Sequence, residues 1–237
     1  MMAQVLASDF SKIRRTAIWF LVFLGPVGVI ALQAVNFGLR YDYLTDLYAA
    51  DLWAGVLMNV QFLVTPTIIL GITIITSMIA SIEHQMNSWK QLLALPITKS
   101  SVFTAKFALS VILLLISCTL LALGTAGLGV ALKCGSDIPV LELIKQSFYP
   151  LFTFLPVLAL QLWLAITLRN QAIPLTIGII GTILSLYAFS LSQWIVSKWP
   201  LLVNETNVRE YSVLAGIVVG LCIFSMGLFD FLRRDVN

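Results

Sequence analysis

Two long runs without a charged side chain dominate this sequence. They cover 31 residues from Leu52 to Ile82 and 26 residues from Phe107 to Leu132. A helix needs about 20 apolar residues to cross the hydrocarbon core of a bilayer. Only 11% of the chain is charged, whereas soluble proteins carry about 25% charged residues. The sequence therefore predicts an all-α, polytopic membrane protein that forms a single domain over residues 1–237.

Six apolar segments are long enough to be predicted as transmembrane helices. Each is bounded by charged or polar residues, and the outer loops between them are short. The predicted spans cover residues of about 16–36, 53–80, 107–132, 147–168, 172–193 and 211–231.

The distribution of charge predicts which side of the membrane each loop faces. If both termini are cytoplasmic, the inner segments hold nine Lys and Arg residues and the outer segments hold five. Acidic residues show the opposite bias, with four inside and seven outside. Basic residues concentrate on the cytoplasmic side of membrane proteins. We therefore expect both termini in the cytoplasm.

Residues 2–15 show the pattern of a short amphipathic helix. Met2, Leu6, Phe10 and Ile13 recur at helical spacing, and the polar residues between them face elsewhere. Such a helix is expected to lie on the inner membrane surface. The alternative is a partly ordered basic N-terminus.

The polar interruption at residues 81–106 separates the two charge-free runs. It is the longest candidate contact surface for a soluble partner on the predicted cytoplasmic side. Pro96 is expected to end a helix here, and Lys99 and Lys106 lead back into the membrane. The alternative is an ordinary interfacial helix that rests on the membrane. The apolar face of the predicted helix contains Ile82, Met86, Trp89 and Leu93, and its polar face contains Glu83, Asn87 and Lys90.

This segment resembles the coupling region of ABC-2 type permeases, especially the permeases of bacteriocin- and lantibiotic-immunity ABC transporters. The shared pattern is an acidic residue after the second span, then Trp-Lys, then Leu-Pro, then a Lys that opens the third span. Span number and spacing extend the resemblance over nearly the whole chain. The matching residues are Glu83, Trp89, Lys90, Leu95, Pro96, Lys99 and Lys106.

The resemblance implies a permease subunit of an ATP-driven exporter in the bacterial inner membrane. It implies ABC ATPase subunits as partners, which would hold ATP and Mg, and a second permease that is identical or paralogous. Residues 82–95 would be the coupling helix, with Trp89 as its anchor and Glu83 paired to a basic residue of the ATPase. The implied substrate is a peptide antibiotic, a bacteriocin or another amphiphile, and the implied role is self-immunity or resistance. ABC-2 permeases also often carry a re-entrant hairpin between the fifth and sixth spans.

Missing motifs exclude several other classes of function. The chain has no GxxxxGK[ST] motif, so it is not expected to bind ATP in the manner of a P-loop. It has one histidine, His84, and its three cysteines lack CxxC spacing, so we expect no metal or cofactor site and no enzyme activity. A net charge of +3 gives no support for nucleic-acid binding. No charged residue lies deep in a predicted span, which argues against an ion-coupled carrier.

Polar and helix-breaking residues within the spans are candidates for bends and for a polar translocation face. Interhelical hydrogen bonding is the alternative role for the polar ones. Gly216 and Gly220 form a GxxxG pattern, for which close packing within one subunit is the default and a dimer contact the alternative. A non-transporting membrane anchor or sensor remains the alternative function. The span candidates are Asn59, Gln61, Pro66, Pro156, Gln161 and Pro174.

Overall fold

The computed structural model describes residues 2–14, 16–85, 98–135, 137–190, 192, 194–202 and 208–233. These residues form α-helices joined by short connections, together with two short 3-10 helices, Ala188–Ser190 and Val196–Leu201. The α-helices are α1 (Met2–Ile13), α2 (Ile18–Leu39), α3 (Tyr41–Leu47), α4 (Leu52–Gln85), α5 (Lys99–Ala131), α6 (Val140–Thr153), α7 (Leu155–Thr167), α8 (Ala172–Ser185) and α9 (Arg209–Arg233).

The two charge-free runs form the two longest helices, α4 and α5. Each continues beyond its charge-free run, and α5 has a defined start. Thr98 is its N-cap, and the Thr98 hydroxyl accepts a hydrogen bond from the Ser101 N–H. This bond satisfies one of the backbone donors that the first turn of a helix leaves unpaired.

The main core lies where α2, α4, α5, α6 and α7 meet. Ile72, Leu113 and Leu158 are among its fully buried side chains. Large apolar side chains such as Phe20 of α2 and Leu214 of α9 are instead exposed on the outside of the bundle. This arrangement suits a protein whose surroundings are lipid, because apolar side chains can then face outward as well as inward.

Contacts at the helix termini define two opposite ends of the bundle. At one end, which we call the α1 end, α1 meets the end of α4 and the beginning of α5. Phe103 of α5 packs there against Phe231 of α9. The other end, the α3 end, brings together α3, the start of α4 and the first residue of α9. The helix α1 and the C-terminal part of α9 therefore lie at the same end.

The predicted spans agree with the structure in part. Four helices, α2, α4, α5 and α9, are long and apolar enough to cross a membrane. The predicted fourth span is two helices, α6 and α7, that meet at an angle of 43° near Phe154. Counting this bent pair as one span gives five.

The fifth predicted span, residues 172–193, differs most from the prediction. Its helix α8 has 14 residues, a length of about 21 Å, whereas the hydrocarbon core is about 30 Å thick. The side chain of Gln171, just before α8, bonds to Ala165 O at the α1 end. Pro200 lies at the α3 end, where its carbonyl accepts a hydrogen bond from Gln61. The chain therefore passes between the two ends through α8 and the 3-10 helices, and not through one long helix.

Gly216 and Gly220 of α9 form a close contact with the junction of α6 and α7. A Cβ atom on Gly216 would overlap the backbone of Phe152 and Thr153, and one on Gly220 would crowd Leu155. The GxxxG pattern thus lets α9 approach the bent pair within a single subunit. Small residues at such positions allow two helix backbones to come together.

We expect Gly216→Ala to destabilise the protein, because the new methyl group would meet backbone atoms that cannot rotate away. Overpacking of this kind costs about 1–3 kcal/mol. Thermal unfolding in detergent should therefore show a lower midpoint for this variant. Gly28→Ala is the matched control, since a Cβ there has no neighbour within 4 Å. Equal midpoints for Gly216→Ala and the wild type would contradict the close packing of α9.

We also expect the chain termini to be inaccessible from outside the cell. In intact cells, an impermeant maleimide should label the native Cys134, which is partly exposed near the α3 end. In a chain whose Cys134 and Cys222 are changed to Ser, it should label Asn237→Cys only after the membrane is permeabilised. Burial, and after it the negative charge of Asp51, raise the pKa of the Cys134 thiol, so labelling should be faster at mildly alkaline pH. Labelling of Asn237→Cys in intact cells would contradict the orientation.

Candidate functional site

The inward face of α1 carries a carboxylate among apolar residues. Val5, Asp9 and Ile13 are four residues apart and are the buried residues of this helix. Residues at this spacing lie on one face of an α-helix. The folding of α1 against the bundle therefore buries Asp9, whose side chain is only 4% exposed.

Asp9 belongs to a group of four charged side chains, of which Lys12 alone is partly exposed. We call this group the Glu83 cluster: Asp9, Lys12, Glu83 and Lys106. Glu83 Oε1 accepts hydrogen bonds from Lys12 Nζ at 2.7 Å and Lys106 Nζ at 3.1 Å. Asp9 Oδ1 lies 3.5 Å from Lys12 Nζ, and Asp9 Oδ2 lies 3.6 Å from Lys106 Nζ. Each carboxylate thus faces both ammonium groups, and the charges of the cluster sum to zero.

The cluster joins three helices at the α1 end. Glu83 lies near the end of α4, Lys106 lies in the second turn of α5, and Asp9 and Lys12 belong to α1. Glu83 and Lys106 are almost completely buried, at 1% and 2% side-chain exposure. Removal of one partner from such a group leaves a buried charge without compensation, which is strongly destabilising. The cluster therefore holds α1 against α4 and α5.

Only some of the predicted coupling residues lie in the part of the chain that the structure describes. Ile82 packs against the main core, and Lys99 is the first residue of α5. The cluster lies directly beside the two helix ends that flank residues 86–97. The predicted coupling residues Met86, Asn87, Trp89, Lys90, Leu93 and Pro96 lie outside the described residues.

Glu83 has partners that the sequence analysis did not predict. The family resemblance implies a basic residue of an ATPase as the partner of its carboxylate, whereas the structure buries this carboxylate against Lys12 and Lys106 of the same chain. The carboxylate faces the interior because Glu83 follows Ile79, a core residue, by one helical turn. In the structure, Glu83 therefore anchors α1 through ion pairs within the chain.

Two further polar contacts fasten helices at the same end. The imidazole Nε2 of His84 lies 3.1 Å from Ala165 O, which links α4 to α7. The indole N–H of Trp163 donates to Asp230 Oδ2 at 2.8 Å, which links α7 to α9. The ends of α4, α7 and α9 are thus tied together next to the Glu83 cluster.

The polar residues predicted within spans mostly bond between helices. The Asn59 amide donates to the Tyr48 hydroxyl just after α3 at 3.2 Å, and the Gln61 amide donates to the Pro200 carbonyl. Gln161 is buried against α8. With its amide oriented to satisfy both atoms, it donates to Pro174 O at 3.2 Å and accepts from Gly178 N at 3.1 Å.

The prolines of the spans occupy different structural positions. Pro156 and Pro174 lie in the first turns of α7 and α8, where a missing N–H disrupts no helical hydrogen bond. Pro156 follows the bend between α6 and α7. Pro66 lies inside α4, which continues through it as one helix.

Sequence reasoning singled out Glu83 and Lys106 but missed the roles of Asp9 and Lys12. The sequence did contain a signal for the burial of Asp9. Asp9 lies four residues after Val5 and four before Ile13, so the three residues share one face of the helix. Within the ranges described, no three His, Cys, Asp or Glu side chains come together in a way that would hold a metal ion.

The long apolar helices, together with their exposed apolar surfaces, define a multi-pass membrane protein. Comparison with known proteins identifies its family. A model described as ABC-2 family transporter protein matches residues 5–185. The chain therefore belongs to the ABC-2 family, whose members are the membrane components of ABC transporters and work with ABC ATPases. No curated protein and no solved structure matches the chain.

We expect Glu83→Gln to lower the free energy of unfolding by about 3 kcal/mol or more, because it leaves two ammonium groups facing one carboxylate. Thermal unfolding of the purified protein measures this loss. Adding Lys106→Met should restore part of the stability, since one Lys then faces one Asp. Glu142→Gln is the matched control. It breaks a solvent-exposed pair with Arg209, and such pairs contribute little. A Glu83→Gln variant as stable as the wild type would contradict the role of the cluster.

Proposed function

We propose that this chain is the permease subunit of an ATP-driven exporter, with residues 82–95 as the segment that docks on a separate ABC ATPase. The family match supports the general class. The observation that carries the proposal further is the Glu83 cluster, which braces the end of α4 and the start of α5, the two helix ends that flank residues 86–97.

The bracing suggests how movement would be transmitted. A push on residues 86–97 reaches the membrane through the end of α4 and the start of α5. The Glu83 cluster connects both of these ends to α1, and His84 connects α4 to α7. The four helices are therefore expected to move together at this end, so that ATPase closure tilts several helices instead of bending one loop.

The same proposal places the α1 end in the cytoplasm and a second permease, identical or paralogous, beside this one in a bacterial inner membrane. The basic residues concentrated at this end support that orientation. ATP and Mg would be bound by the ATPase partners.

The substrate in this proposal is a peptide antibiotic, a bacteriocin or another amphiphile that is expelled from the membrane, with a role in self-immunity or resistance. Its support is the resemblance of residues 83–106 to immunity permeases. The alternative, a non-transporting anchor or sensor, would bind a partner without coupling to ATP hydrolysis.

We expect Trp89→Ala to detach the ATPase or to uncouple its activity, with little change in the abundance of the permease. An aromatic side chain at the centre of an interface commonly contributes about 2 kcal/mol or more to binding. Co-purification with a tagged permease and substrate-stimulated ATP hydrolysis in proteoliposomes measure the two effects. Trp194→Ala is the matched control, because Trp194 lies in the chain segment that leads to the α3 end and is 83% exposed.

A Trp89→Ala protein that co-purifies with the ATPase and couples like the wild type would show that residues 82–95 do not transmit the movement of the ATPase to the membrane helices. A wild-type permease that binds an ATPase but never changes the rate at which the ATPase hydrolyses ATP would favour a non-transporting anchor or sensor.

A further inference from the structure

An open cavity of about 490 Å³ lies at the α3 end, opposite the proposed ATPase side. Its walls come from the start of α4, the start of α6, the 3-10 helix Val196–Leu201 and the first residue of α9. The cavity is remote from the Glu83 cluster, and nothing in the coupling proposal uses it.

The rim of the cavity is negatively charged. Three carboxylates, those of Asp51, Asp137 and Glu142, line it together with one guanidinium, that of Arg209. Arg209 is paired with Glu142. Among the ion pairs of the described residues, none includes Asp51 or Asp137. The rim therefore has an excess of two negative charges, which attracts cations and repels phosphate and carboxylate groups.

Two of the residues that line the cavity each have a buried polar atom without a hydrogen-bond partner within the described part of the chain. The atoms are Trp53 Nε1, a donor, and Gln61 Oε1, an acceptor. Trp53 is only 6% exposed and Gln61 only 9%. The benzene edge of the Trp53 ring packs against Gly129 of α5, and the Gln61 amide nitrogen donates to Pro200 O. Unpaired buried polar atoms are unfavourable, so a ligand that supplied both partners would gain binding free energy.

One side of the cavity is apolar and continues onto the outer surface of the bundle. Met58 and Phe62 of α4 line it and are 64% and 49% exposed. They lie four residues apart and so form one stripe along the helix. A hydrocarbon chain can lie along this stripe while its head group occupies the cavity.

The geometry points to a binding site in this cavity for a cationic amphiphile that carries an amide next to its positive charge. Its ammonium group lies at the carboxylate rim, its amide meets Trp53 and Gln61, and its hydrocarbon lies against Met58 and Phe62. This site adds a substrate class to the proposed function and rests on it only for the direction of transport. A cation suits the rim, and an amide supplies both an acceptor for Trp53 and a donor for Gln61.

Three probes with the same hydrocarbon chain separate the contributions of the ammonium group and of the amide to binding. Glycine dodecylamide has an ammonium group and an adjacent amide, dodecylamine has the ammonium group alone, and N-acetylglycine dodecylamide has amides without charge. Tritium-labelled forms are bound to the full chain in phosphatidylcholine nanodiscs, and empty nanodiscs give the background. We expect glycine dodecylamide to bind most tightly, and we expect its affinity to fall as salt is added.

Variants assign the binding to the cavity. Asp51 caps α4 by accepting from the Ala54 N–H, and asparagine is an equally good cap. Asp51→Asn therefore removes charge and keeps the helix start. Asp51→Asn and Asp137→Asn should each weaken the binding of both cationic probes by about threefold. Asp46→Asn is the matched control, because Asp46 is exposed on α3 and does not line the cavity.

Trp53→Phe tests the amide contact. It removes the unpaired N–H donor together with the part of the indole ring that packs against Gly129, so some loss of thermal stability is expected. The affinity for dodecylamine is the control for this lost packing. The affinity for glycine dodecylamide should fall about fivefold, whereas the affinity for dodecylamine should be unchanged.

Equal binding of the three probes, binding no greater than to empty nanodiscs, or an equal loss in Asp46→Asn would overturn the site. An unchanged affinity of Trp53→Phe for glycine dodecylamide would overturn the amide contact. The permease is tested here without an ATPase. Failure of binding in a protein that still couples to its ATPase would therefore reject this inference alone. Binding in a protein that recruits no ATPase would reject only the proposed function.

Discussion

The ion pairs of the Glu83 cluster are the interaction on which the α1 end of the bundle depends. Four charges in a poorly hydrated position are tolerated only because each carboxylate faces both ammonium groups. Apolar packing alone would let α1 slide along the bundle, because hydrophobic contact is not directional. The cluster instead specifies one position for α1, beside the two helix ends that flank residues 86–97.

Elsewhere the helices are joined by close backbone approach and by side-chain amides. Gly216 and Gly220 bring α9 onto the bend between α6 and α7, and Gln161 bonds to the backbone of α8. In lipid the hydrophobic effect gives little preference for one helix pairing over another. Small residues and interhelical hydrogen bonds therefore determine which helices become neighbours. The two ends of the bundle then differ: the α1 end is braced by a cluster whose charges sum to zero, and the α3 end contains an open cavity with an acidic rim.

The class of fold was predictable from the sequence because apolar runs of this length have few alternatives. The charge-free runs predicted α4 and α5, and helical spacing predicted α1. The fifth predicted span is instead a short helix followed by two 3-10 helices. Its apolar composition did not distinguish this structure from one long helix. The burial of Asp9 and the internal partners of Glu83 were not predicted, since they depend on how α1 meets α4 and α5.

The sequence by itself determined that this chain lies in a membrane as a set of helices, and it placed the polar segment that separates two of them. The sequence could determine this because the constraint is local. A backbone in lipid must satisfy its own hydrogen bonds, and a helix does so within one segment. Only the tertiary structure decided which charges neutralise one another and that the GxxxG face meets the α6–α7 bend. It also decided that Trp53 and Gln61 share a cavity wall with acidic residues. These features join residues far apart in the chain, and their partners are set by packing in three dimensions.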